Sequence, residues 1–223
     1  MASGESNSKA DMLVDNGKKK YEEGKGEESL ELFNQALDIY RQNGNKDGEI
    51  AALGYVAVIY RSIHKFEKSL ETYMLLLKIF EDLHDVAAQG KVLNNIGLIS
   101  ARGGKYEYAL KSFNKALDLF KSIDNKPEVA EQLGNIGSVY RDIKEYDKAL
   151  AVCHDAMTAF KEIHHLSGIG DQHSNIAYLY IMKGNLIAAL DWYKKAMPFY
   201  TEAGEKDKAS LTRKNIANIE KGM

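Results

Sequence analysis

NNIG at Asn94 to Gly97 returns as GNIG at Gly134 to Gly137, SNIA at Ser174 to Ala177 and KNIA at Lys214 to Ala217, forty residues further on each time. Asparagine is a mediocre helix former because its amide competes for local backbone hydrogen bonds. Even so, it recurs inside stretches whose apolar spacing is helical. The small residue ending the motif belongs to a longer series, Gly17, Ala57, Gly97, Gly137, Ala177 and Ala217. The same step carries Leu30, Leu70, Leu110, Leu150 and Leu190, and the aromatic series Tyr40, Phe80, Phe120, Phe160 and Tyr200. Between them run Ser29, Ser69, Ala109, Ala149 and Ala189, then Phe33, Tyr73, Phe113, Cys153 and Tyr193. Small and large residues alternate in fixed order, and a fixed period of this length dictates the architecture.

Each period reads as a helical hairpin. In the third, Leu93, Ile96, Gly97 and Ile99 lie at helical spacing, RGGKY makes a turn, and Ala109, Leu110, Phe113, Ala116, Leu117 and Phe120 form a second apolar stripe. A small residue at Gly97 lets the partner helix approach, and Phe113 fills the space left open by Ala109 and Ala116. Neither face of such a hairpin is covered alone. Stacking the next hairpin covers it, which makes the array a solenoid stabilised by neighbour interfaces.

Composition agrees with an all-helical chain. Of 223 residues, 44% are hydrophobic and 28% charged, and only two are proline, Pro127 and Pro198. No strand-like alternation bounded by turn residues stands out. The formal charge is -2, so no overall field draws the chain to nucleic acid or anionic lipid. One cysteine, Cys153, excludes an internal disulfide. The polar start MASGESNSKAD lacks a signal-peptide apolar run, and no later segment approaches a membrane span, so the cytoplasm is the expected compartment.

These registers resemble the tetratricopeptide repeat. The matching features are the Gly or Ala of the first helix, Tyr60, Tyr140 and Tyr180 three residues later, the following turn, and Ala109, Phe113 and Ala116 in the second helix. The family's usual period is about 34 residues. The longer step resembles the forty-residue variety found in kinesin light chains, spindle-orientation adaptors and bacterial peptide-pheromone receptors. HEAT and armadillo periods are nearer forty, but the small and aromatic registers fit them less well. The resemblance implies a right-handed superhelical solenoid of five hairpins plus a C-terminal capping helix. It would occupy residues 10–223 as a single domain behind a disordered tail over residues 1–9. The first repeat is degenerate at Lys20 and Gly26, as an N-terminal cap would be. At the other end Ile216, Ala217 and Ile219 are expected to face inward, with Arg213, Lys214, Glu220 and Lys221 turned to water.

Asn95, Asn135, Asn175 and Asn215 each precede the small residue by two, about 200 degrees around the helix from it. They therefore point away from the hairpin partner. The resemblance places this position in a concave groove, where relatives use asparagines to hold a ligand's main chain. Packed helices about 8–10 Å apart would then meet an extended peptide roughly every third residue. An amide offers both donor and acceptor, which suits it to grip a peptide backbone irrespective of sequence. Alternatively each amide bonds the preceding repeat and is structural. Arg61, Arg102 and Arg141 on neighbouring helices would pair with carboxylates, favouring an acidic ligand, unless they make surface salt bridges with residues such as Asp142. Tyr55, Ser138, Tyr178 and Met182 fall near the same surface. Tyr55 and Asp15 replace asparagine in the first two repeats.

Catalysis finds little support. The six histidines show no HExxH pattern and no cysteines at zinc spacing, so no metal or cofactor is expected. His84 and His164 share a turn position with Gly44, Asp124 and Gly204. Cys153, in an aromatic register, reads as a packed, inert thiol. GKGEE and RGGK are hairpin turns, since neither shows a phosphate-loop pattern. Two functions follow: a non-catalytic module binding an extended segment of a protein partner, or a scaffold assembling through its convex face or terminal helices.

Overall fold

The computed structural model describes residues 2–223, with side chains from Ser8 onward. Among the described residues, eleven helices follow one another: α1 (Ala2–Glu22), α2 (Gly26–Gln42), α3 (Lys46–Ser62), α4 (Phe66–Asp82), α5 (Val86–Arg102), α6 (Tyr106–Ser122), α7 (Lys126–Asp142), α8 (Tyr146–Glu162), α9 (Leu166–Met182), α10 (Leu186–Glu202) and α11 (Lys206–Gly222). Helices α2 to α11 all have 17 residues. Two such helices, each about 25 Å long, and two three-residue turns make the repeat. Odd-numbered helices carry the asparagine motif from α5 onward, and even-numbered ones carry the second stripe. The backbone of α1 is helical from Ala2. Met1 and the side chains before Ser8 lie outside the described residues.

The turns share one mechanism. At the end of α2 the Gly44 amide donates to Arg41 O (3.2 Å) and the Asn45 amide to Tyr40 O (2.8 Å), two bonds that absorb the last carbonyls of the helix. This closure needs a left-handed residue in the middle of the turn. That residue is Gly44 at φ +67° here, and His64, His84, Asp124, Lys144 and His164 elsewhere, all with φ between 53° and 64°. The next residue already caps the following helix: the Asn45, Asp85, Asn125, His165 and Asn185 side chains each accept from a backbone amide three residues on. The histidines read as turn residues are turn residues, and His165 is a cap.

By its contacts the chain divides into two compact units, Met1–Lys105 and Tyr106–Met223. In unit 1, α1 to α5 pack successively, each on the next. A Cβ at Gly17 would lie 2.9 Å from the Phe33 ring, which is the close approach that the small-residue register anticipates. The hydroxyls of Ser29 and Ser69 add buried bonds across their hairpins, to Gly17 O and Ala57 O, both at 2.7 Å.

In unit 2, α6 to α11 pack in the same serial way. A Cβ at Gly137 would come 3.2 Å from Cys153 Sγ, and Ala149 and Cys153 share a core cluster with Ile176 and Leu179. Helix α11 buries Ala209, Thr212 and Ile219. Ile216 and Ala217 are half-buried, while Arg213, Lys214, Glu220 and Lys221 are exposed. The last helix therefore covers its neighbour and presents a polar outer face.

Candidate functional site

Two adjoining clefts open along the odd-numbered helices of unit 2. One, of about 490 Å³, lies between α9 and α11, and its lining includes Asn175, Tyr178 and Asn215, with Arg141 at the end of α7. The other, of about 400 Å³, lies between α7 and α9 and includes Asn135, Ser138 and Asn175. Asp171, Ser174, Asn175 and Tyr200 border both. Six of the expected positions therefore come together along one face: Asn135, Ser138, Arg141, Asn175, Tyr178 and Asn215. Tyr178, 43% exposed, offers its ring to this face, and the Arg141 guanidinium stands 5.9 Å from the ring centroid.

The amides are not equivalent. Asn175 Nδ2 reaches Gln172 Oε1 at 3.5 Å, a long contact that leaves its other polar valences to the cleft. Asn215 hydrogen-bonds the Tyr193 hydroxyl of α10, opposing the rise in the phenol's pKa that burial causes. Asn95, in unit 1, donates to Lys91 O one turn back in its own helix, at 3.0 Å. Tyr55, at the same repeat position, stacks on Phe33 of the preceding hairpin with centroids 4.9 Å apart. The position thus faces the preceding even-numbered helix at both Tyr55 and Asn215. Ser138 donates to Gly134 O within α7, at 3.1 Å.

The arginines differ as well. Arg141 forks onto one carboxylate oxygen of Asp142, with Nε at 3.0 Å and Nη2 at 2.8 Å. Arg61 and Arg102 belong to unit 1, where Arg61 is half-buried at the end of α3 and Arg102 is exposed at the end of α5.

The sequence reading missed a polar network that forms the wall shared by the two clefts. The Tyr200 hydroxyl donates to Asp171 Oδ1 (2.9 Å) and accepts from Ser174 Oγ (3.1 Å). Lys208 Nζ meets Asp171 Oδ2 at 2.8 Å and Ser167 Oγ at 3.0 Å. Burial and the Asp171 carboxylate together raise the Tyr200 pKa well above that of a free phenol. The network has a counterpart in unit 1, where the Tyr40 hydroxyl bonds Asp11 at 2.5 Å and the Tyr40 pKa is pushed up to about 12. A signal was present in the sequence. In the aromatic register the two tyrosines each follow an aspartate by 29 residues, whereas Phe80, Phe120 and Phe160 follow Ala51, Lys91 and Glu131. The hydroxyl of this register thus occurs with an aspartate at the facing position, in Asp11–Tyr40 and Asp171–Tyr200.

Cys153 is buried, and burial pushes its thiol up to about 11. Among the described residues no group of three or more His, Cys, Asp or Glu is placed to hold a metal, and no helix is long and apolar enough to cross a membrane.

Serial helical hairpins with small-on-aromatic packing define a repeat protein of the tetratricopeptide class. The family pattern described as Tetratricopeptide repeat matches residues 10–82 and 89–162, more than half of the chain. The chain belongs to this family. No curated protein sequence matches it. Among solved structures, it resembles the apo form of RapI at 18% identity and a TM-score of 0.79, over 91% of this chain and 74% of that one. It resembles the nearly identical repeats of a putative kinesin light chain from Podosopora anserina at 10% identity and a TM-score of 0.71, over 88% and 97% of the two chains. A Rap protein complexed with competence and sporulation factor is similar at 17% identity and a TM-score of 0.63, over 97% of this chain and 65% of that one. At such identities the likeness is one of fold.

Proposed function

We propose that this protein is a non-catalytic module that binds an extended segment of a partner protein along the odd-numbered helices, with Asn135 and Asn175 gripping the segment's main chain. The observation carrying this reading is the pair of clefts in unit 2, which set these two amides on successive helices with the exposed Tyr178 ring beside them. A fold neighbour crystallised with competence and sporulation factor lends support. The grip centres on Asn135 and Asn175 because these two amides line the clefts between successive odd-numbered helices, whereas Asn95 lies in unit 1 and donates to Lys91 O. An acidic side chain on the ligand would engage Arg141 by displacing Asp142, which costs little because exposed ion pairs are worth about 0–1 kcal/mol. Arg61 and Arg102 would serve acidic groups in unit 1.

The test begins with peptides selected on the wild-type chain from a random display library. Affinity and thermal melting are then compared for the wild type and the Asn135→Ala/Asn175→Ala double variant. Each lost main-chain contact is worth about 0.5–1.5 kcal/mol, so binding should weaken about tenfold or more. The melt should hold, because alanine is the better helix former. A destabilised variant with unaltered affinity would overturn the reading and leave the amides structural.

A further inference from the structure

Helix α4 departs from the surface pattern of its counterparts. At the two outward positions where α2, α6, α8 and α10 carry Asn34 and Gln35, Asn114 and Lys115, His154 and Asp155, and Lys194 and Lys195, α4 carries Met74 and Leu75. These side chains are 53% and 41% exposed. Single exposed apolar residues are ordinary. An adjacent pair at positions that four equivalent helices keep polar calls for a physical cause, because each repeat is a control on the others.

The surrounding charges indicate what covers the pair. Glu71 and Lys78 flank it on the same helical face, with Lys68 and Asp82 one turn further out, all exposed. None of the four enters an ion pair among the described residues, although Lys68 rests over the Tyr60 ring at 5.7 Å. Their order is self-complementary only when reversed. Two copies of α4 related by a two-fold axis near Leu75 run antiparallel. Glu71 then meets Lys78 of the second copy, one turn further out Glu67 and Lys68 together face Glu81 and Asp82 of the second copy, and the Met74 and Leu75 side chains are enclosed between the helices. A parallel pairing would set like charges against each other. Two-fold contacts are isologous, so each complementary pair occurs twice.

We propose that the outer face of α4 is a self-association surface, on which a second copy of this chain docks antiparallel through Met74 and Leu75, with the Glu71–Lys78 pair setting the register. This surface lies on an even-numbered helix of unit 1 and uses none of the residues that line the proposed peptide clefts of unit 2. One helix face is small beside a standard interface of about 1,600 Å², so the dimer is weak and reversible.

Sedimentation equilibrium from roughly 10 μM to 1 mM, a range that brackets weak association, tests it. The wild-type average mass should rise toward that of a dimer. Met74→Asn/Leu75→Lys, which installs the residues of α6, should keep the chain monomeric with an unchanged circular-dichroism spectrum. Glu71→Lys alone and Lys78→Glu alone should each abolish association, and the double reversal should restore it. A wild-type chain monomeric throughout, association surviving the Asn/Lys substitutions, or a double reversal that fails to rescue would each overturn the proposal.

Discussion

His173 shows how a repeat position is overruled by its neighbours. Leu53, Leu93 and Leu133 occupy the same register, yet in α9 an imidazole is buried between the Trp192 and Phe199 rings, 5.3 and 5.1 Å away between centroids. Its Nδ1 lies 2.8 Å from Ile169 O, so Nδ1 carries the proton of the neutral ring. Burial lowers its pKa from the ordinary 6.5, only partly countered by the bond to Ile169. Below about pH 6.5 the unfolded chain takes up a proton that the folded chain refuses. This group's contribution to stability is therefore complete above that pH, falls as the pH drops toward the lowered folded value, and then levels off. Denaturant titrations from pH 7.5 to 5 should show wild-type stability falling more than that of His173→Phe. Equal pH dependence in the two chains would mean that the ring is hydrated and not packed. The asparagines make the same point in reverse. Their spacing puts them at one repeat position, but nothing in the spacing says that Asn95 turns back onto Lys91 O while Asn175 borders both clefts. Such choices depend on which acceptor happens to lie nearest.

At the scale of the element, the helices were legible because each needs only its own apolar stripe and a stop signal. The turns were legible where glycine marks the left-handed position, and less so where His64 or Lys144 holds it at φ 62° or 64°. Helix pairing followed from the small-residue register. Ala149 is wholly buried in the hairpin of α7 and α8, and its carbonyl lies 3.8 Å from where a Gly137 Cβ would stand. Ala149→Phe should therefore overpack this hairpin at a cost of about 1–3 kcal/mol. In a chain of this size that lowers the melting temperature by about 2–4 °C per kcal/mol. An unchanged calorimetric melt would mean that the register drawn from the sequence is misplaced in α8. Gln132, fully buried in α7 with neither amide atom bonded, was not legible at all. Its register holds Ala52 and Val92 in unit 1 but Gln172 and Thr212 beside it in unit 2, and the period gives no reason for the change.

At the scale of the whole molecule, α11 packs on α10 and supplies Lys208 to the network around Asp171 and Tyr200. Ending the chain at Glu205 would bare the α10 residues that α11 covers, because each helix of a stacked array is buried by its neighbours. The shortened chain should melt earlier and bind a hydrophobic dye such as ANS more strongly. A melt and dye signal like those of the full chain would show that α10 needs no cover. The sequence by itself determined the family, the helix count and the facing of each helix. These depend on periodic contacts between residues a fixed number of positions apart, and repetition at a forty-residue step makes such contacts readable. It also located the face on which Asn135, Asn175, Tyr178 and Arg141 converge. Only the tertiary structure decided the division into two compact units, the pairing of Arg141 with Asp142, the Tyr200 network, and the exposure of Met74 and Leu75. Those outcomes turn on distances between side chains in different helices, which a one-dimensional period fixes to within a helix turn but not to within a hydrogen bond.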